Sequence, residues 1–180
     1  MMPSHTPGFR QRGMTLVIVL IFLMLLTMLG IGAMSTTTLQ EKMAGNMKDQ
    51  TIAFQSAESA ARFGESQIRL MLEKPFPDNT GTNDADVDVW RLASNNYGAM
   101  TQAWWVSTAE EYGAVGAKDL DQTAADPRYI VEYRTQIDDD LSGESMGLSN
   151  PPQVFAIYGS GTGQTLNARA LVQSTYIRRF

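Results

Sequence analysis

Residues 12 to 34, Arg12-Gly13-Met14 followed by TLVIVLIFLMLLTMLGIGAM, decide how this chain is organised. From Met14 to Met34, 17 residues are apolar, the other four are Thr15, Thr27, Gly30 and Gly32, and none is charged. At about 1.5 Å of rise per helical residue, such a run spans roughly the 30 Å hydrocarbon core of a bilayer. Arg10 and Arg12 stand before it, and the first charges after it are Glu41 and Lys42. A positive flank on the N-terminal side predicts an N-terminus in the cytoplasm and a body outside. Two plainer readings stay open: an uncleaved anchor helix, and a secretory signal peptide with Gly32 and Ala33 near its cut. Against the second, the apolar run exceeds the roughly 7 to 15 residues of a signal-peptide core.

Composition removes several function classes. The chain has 180 residues, room for one modest domain beyond the long N-terminal segment. Without cysteine there is no disulfide, thiolate nucleophile or iron–sulfur ligand. The single histidine is His5, ahead of the apolar run, so the body offers no histidine base, Ser-His-Asp triad or ordinary zinc site. A net charge of −5 with scattered Lys and Arg argues against a nucleic-acid surface. These observations predict a chain that is not an enzyme and carries no cofactor.

Downstream of the apolar run, Leu39, Met43, Met47, Phe54, Ala57, Ala61, Gly64, Ile68, Met71 and Leu72 recur at helical spacing. No proline occurs before Pro75, so the pattern predicts one helix from Met14 to about residue 73, lipid-facing in its first half and packed on a domain in its second. Gly30, Gly32, Gly45 and Gly64 mark places for local bending or close packing. Glu58, Arg62 and Glu65 fall on one side, as surface ion pairs would.

After Pro75 and Pro77 a loop opens, and the body begins. A short strand or helix is expected around Val87 to Leu92 and a strand around Ala103 to Ser107. Trp90, Trp104 and Trp105 read as core packing rather than a ligand platform. The alternation from Tyr129 to Ile137, the stretch Val154 to Tyr158 and the run Ala168 to Arg179 predict three antiparallel strands. The segment Gly159-Ser-Gly-Thr-Gly163 reads as the turn between the last two; it lacks the lysine of a phosphate loop. Asp138, Asp140, Ser142 and Glu144 have the opening of a calcium loop, but Ser149 replaces its closing glutamate, so a solvated acidic loop is the plainer reading. A long helix laid on an antiparallel sheet is an α+β fold.

A glycine closing a short polar leader on the cytoplasmic side is the wrong place for signal peptidase, and the junction at Gly13 resembles a type IV prepilin site. The resemblance implies removal of residues 1 to 13 by a membrane aspartyl protease, followed by methylation of Met14. Pilins usually carry a glutamate five residues after that glycine, and here the position is Ile18. A buried carboxylate persists only with a partner, in that family the terminal amine of a neighbouring subunit. Ile18 therefore points either to a tip or priming position or to simple divergence. The runs EKMAGN, then Asp49, then AFQSAESA, then Gly64-Glu65, resemble the N-terminal domain of PilX-type minor pilins, and GSGTG with NARALVQSTYIRR resembles their last hairpin.

That resemblance implies a division into a leader (1–13), a transmembrane and filament-core helix (14–34), its amphipathic continuation (35–74) and a periplasmic or extracellular head (75–180). It implies a minor pilin that waits in the inner membrane, then primes and caps a type IV pilus at the cell surface. Its implied partners are other minor pilins, the major pilin, a PilY-type tip adhesin and the prepilin peptidase. A type II secretion pseudopilin, a membrane-tethered periplasmic binding module and a secreted enzyme using carboxylates alone are the alternatives.

Overall fold

The computed structural model describes residues 13–77, 87–91, 96–113, 120–137 and 151–180. Helix α1 (Met14–Leu70) is followed by strand β1 (Val89–Arg91), a 3-10 turn (Tyr97–Ala99), helix α2 (Gln102–Thr108), and strands β2 (Glu110–Glu111), β3 (Arg128–Gln136), β4 (Gln153–Thr162) and β5 (Arg169–Arg178). The chain divides into two compact units at Gly45–Asn46, the second holding the head half of α1 and every strand.

The predicted long helix forms without interruption through Gly30, Gly32 and Gly45, where a side chain would meet nothing within 4 Å. It ends at Leu70, a turn ahead of the proline. Its end is held by Arg178, whose guanidinium donates to the Ile68 and Met71 carbonyls. A cation on these last carbonyls also suits the negative end of the helix dipole.

The sheet has the order β1-β3-β4-β5, with β2 also on β3. The three long strands are antiparallel, as the alternation predicts. Pairing differs at one edge: β1 runs parallel to β3 through Val89, Trp90 and Arg91, so the sheet is mixed rather than purely antiparallel. The expected strand near 103–107 is helix α2 instead. Thr101 caps it, its hydroxyl accepting from the Trp104 N–H at 3.2 Å, and local capping outweighs the β-preference of Trp-Trp-Val.

Gly159-Ser-Gly-Thr-Gly163 is not the turn. Through Thr162 it is the end of β4, in register with Arg169 to Val172 of β5, and the reversal lies at residues 164–167. The glycines are there because α1 crosses this strand at backbone contact. A Cβ on Gly159 would sit 2.2 Å from the Ala57 carbonyl oxygen, and one on Gly161 would sit 2.3 Å from the Ala57 nitrogen and 2.6 Å from the Ala53 carbonyl oxygen. On the helix, Ala53, Ala57, Ala60 and Ala61 supply the matching small residues, all buried. Farther along, larger groups take part: Ile68, Met71, Val131, Phe155 and Ile157 form the core on this face, with Phe63, Tyr176 and Phe180 at its margin.

The opposite face is covered by a second cluster built on Tyr97, Trp105, Ile130, Ala156 and Tyr158. Trp104 and Trp105 meet edge to face at 5.6 Å, Trp105 is fully buried, and Trp90 packs alongside. The three tryptophans thus serve packing, as expected.

Gly161→Ala should lower the stability of the head by about 1–3 kcal/mol in denaturant unfolding, because the new methyl meets backbone that cannot step aside. Gly45→Ala, mid-helix with open space around it, should instead be neutral or stabilising by up to about 1 kcal/mol.

Candidate functional site: the apolar segment and the helix–sheet seam

Every large apolar side chain from Met14 to Met34 is exposed, from Ile18 at 51% to Met34 at 75%. Among the described residues of this segment none is covered. At roughly 1.5 kcal/mol or more per fully buried side chain, leaving this segment in water would cost tens of kcal/mol, so it requires a bilayer or partner helices. Among the described residues α1 is the one helix long and apolar enough to cross a membrane. Four hydroxyls in and just after the segment are turned back onto their own helix. Thr27 donates to Met24 O at 2.8 Å, and Thr36, Thr37 and Thr38 donate to carbonyls four residues back at 3.0–3.1 Å.

Gly13 stands directly before the first helical residue, Met14. Its φ of 120° is one that L side chains rarely adopt, and nothing lies within 4 Å of where a Cβ would be. Ile18 lies one turn into the helix, exposed among other aliphatic side chains. The calcium-like residues Asp138, Asp140, Ser142 and Glu144 lie outside the described residues; among those described, no group of three or more His, Cys, Asp or Glu could hold a metal ion.

The head half of α1 is fastened to the sheet at both ends. At the start, Asp49 accepts from the Thr165 hydroxyl at 2.6 Å and from the Thr165 N–H at 3.2 Å, while Gln50 donates to the Arg169 carbonyl at 3.2 Å. Gly163 makes room for this carboxylate; a Cβ there would lie 2.1 Å from Asp49 Oδ1. Near the far end, Ser174 donates to Glu65. Of the three charges expected to pair on the surface, Glu58 and Arg62 do so at 2.6 Å, but Glu65 turns to β5. Gly64 lets Tyr129 and Ile157 approach the helix closely.

Residues 12–62 match the PilX N-terminal family, and residues 48–178 match the C-terminal family of the type IV pilus assembly protein PilX. The chain belongs to the PilX family. Comparison with curated proteins and with solved structures gives no match. As a PilX protein it is a minor pilin of the type IV pilus, a structural component that works with other pilus proteins, and its long apolar helix serves membrane anchoring and then the pilus.

The PilX-like runs now have a physical meaning. Asp49 is the clamp on Thr165. The alanines of AFQSAESA are the small face against Gly159 and Gly161. Gly64-Glu65 is the close contact with Tyr129 and the bond to Ser174. Sequence reasoning recognised both halves of this seam without seeing that they face each other. The signal available was the match of spacings: small residues four apart on a helix against glycines two apart on a strand.

Two carboxyls in the head are displaced in opposite directions. Hydrogen bonds from the Thr165 hydroxyl, then from the backbone N–H groups of Thr165 and Gln164, outweigh slight burial and hold Asp49 below its ordinary range. Partial burial, then the charge and hydrogen bond of neighbouring Asp88, push Glu110 up. A lowered carboxyl contributes stability that is present above its unfolded value, about pH 4, and lost as the pH falls through its folded value. A raised one contributes stability that is present below its unfolded value and lost as the pH rises through its folded value. Melting curves across pH should therefore show Glu110→Gln more stable than the parent at neutral pH, with the advantage gone near about pH 4. Asp49→Asn should be less stable at neutral pH and lose less stability on acidification.

Proposed function

We propose that this PilX protein is a priming and tip subunit, cut after Gly13 and then handed from the inner membrane to the growing end of a type IV pilus. The observation that carries this reading is the junction at Gly13, an uncluttered glycine joined directly to a helix whose first 21 residues expose every large apolar side chain. Cleavage there leaves Met14 as the new N-terminus, with its amine at the start of an apolar helix where methylation would follow. The leader is then residues 1–13, the anchor 14–34, the amphipathic continuation 35–74 and the head 75–180, with the leader in the cytoplasm and the head in the periplasm.

The tip assignment rests on Ile18. In a filament of apolar helices, a carboxylate at this position would need a neighbour's amine. An isoleucine makes no such demand, so the subunit fits where no earlier neighbour must be matched. The partners on this reading are the other minor pilins, the major pilin below, a PilY-type adhesin above and the prepilin peptidase. A role as a type II secretion pseudopilin is less well supported, because the EKMAGN run and both matched regions belong to the pilus family.

Intact-mass analysis of the membrane-bound protein should give a chain starting at N-methylated Met14, and removal of the prepilin peptidase should restore residues 1–13. A product that keeps its leader in the presence of the peptidase, or is cut near Ala33, would exclude the pathway. Immunogold labelling of sheared pili should place the protein at one end, and label spread along the shaft would exclude the tip position alone.

A further inference from the structure

We propose that β5 is the docking edge for an extended strand of another protein, uncharged and β-branched in its middle and acidic at its ends, which adds to the sheet antiparallel to β5. The two edges of the sheet are built differently. Along β3 the edge is shared by β2, of two residues, and β1, of three. Such brevity is how proteins blunt an edge, as are lysine, proline and bulges. The edge at β5 has none of these devices. It runs ten residues from Arg169 to Arg178 in unbroken register with β4 and contains no proline, glycine, lysine or acid. Among the described residues no strand pairs with its outer side. On the face turned from α1, Leu171, Gln173, Thr175 and Ile177 are exposed, Leu171 at 40% and Ile177 at 55%. The Arg169 carbonyl at the start of this edge takes the Gln50 side-chain amide, and from Leu171 on no strand partner is present among the described residues. A backbone ladder open to a strand beside alternating exposed side chains is what strand addition uses, the backbone for affinity and the side chains for selection.

Direction excludes a second copy as the occupant. Contacts from α1 to β5 advance together, Gln50 with Arg169, Glu65 with Ser174 and Ile68 with Arg178, so β5 runs the same way as the head half of the helix. Antiparallel pairing of two β5 strands would put the Asn46 ends of the two helices, where each chain connects to its apolar segment, at opposite ends of the pair. Two chains anchored in one membrane cannot satisfy that. Parallel pairing of β5 with the far edge of another copy would meet only the three residues of β1.

Charge narrows the occupant. Residues 164–180 carry Arg169, Arg178 and Arg179 and no acid, in a chain of net charge −5. Arg169 donates to the Met100 carbonyl and Arg178 to helix carbonyls, bonds that leave their charges in place. The nearby carboxylates Asp49 and Glu65 lie on the helix side and are bonded to Thr165 and Ser174. A strand with acids at both ends meets the arginines at both ends of β5, and opposite charges across a strand pair favour the register.

The test uses the full chain in lipid nanodiscs and two synthetic peptides of about ten residues, alternating threonine and valine, one ended by glutamates and one by lysines. Hydrogen exchange at residues 169–178 should slow at least tenfold with the glutamate-ended peptide and stay unchanged with the lysine-ended one. Ile177→Glu, on the exposed face, should weaken the first peptide at least tenfold and admit the second. Unchanged melting of this variant would show that the head is intact. No protection by either peptide would overturn the proposal, as would equal protection by both. Protection of β5 without peptide, rising with protein concentration, would also overturn it by making a second copy the occupant.

Discussion

The head depends on one approach: α1 crosses β4 so closely that backbone meets backbone. Ala53, Ala57 and Ala61 on the helix and Gly159 and Gly161 on the strand, with the small side chain of Ser56, keep the two backbones this close. Close contact of this kind gains dispersion over many atoms and excludes water completely, but it has no slack. Everything else follows from it. Asp49 can reach Thr165 only because Gly163 lets the helix start low on the sheet. Past Ala61 the rings of Phe63 and Tyr129, and those of Phe155 and Phe180, meet edge to face and complete the core.

The same helix meets two opposite requirements. Its first part presents large apolar side chains in every direction, which suits surroundings that are apolar in every direction, a bilayer or a sheath of similar helices. Its second part presents small residues on one face only, because its partner is a single sheet already in place. The division between them near Gly45 is a change in solvent rather than in secondary structure. A PilX subunit therefore keeps a folded head while the segment before it passes from lipid to protein neighbours.

Much of this was legible in the residues. A 21-residue uncharged run, a proline-free helical stripe and alternation from Tyr129 onward reflect periodicities of the backbone itself, and the structure has the corresponding helix and strands. The misreadings share one cause. Gly159-Ser-Gly-Thr-Gly163 looks like a turn when glycine is taken as a licence for reversal. Here glycine is needed for what it lacks, a Cβ, and that need is set by a helix about a hundred residues earlier in the chain. Trp104-Trp105-Val106 reads as strand by side-chain preference, and the helix there follows from the cap at Thr101 and the pocket that receives Trp105. The parallel pairing of β1 depends on which edge of β3 is left open, which no local pattern records. At the candidate site, Gly13 and Ile18 stand out by their position in the sequence, whereas the Asp49–Thr165 clamp does not, since its two halves lie 116 residues apart.

That separation also orders events during synthesis. The clamp at Asp49, the bond at Glu65 and the cap on Ile68 and Met71 are all supplied by residues 165–178, made about a hundred residues after the helix they hold. Until then the head half of α1 lacks these fastenings, although β3 and β4, including Gly159 and Gly161, are already made. Contacts that span more than a hundred residues form late and carry a large loop-closure cost. The apolar segment is therefore made before the head can be fully fastened, and β5 supplies the fastening.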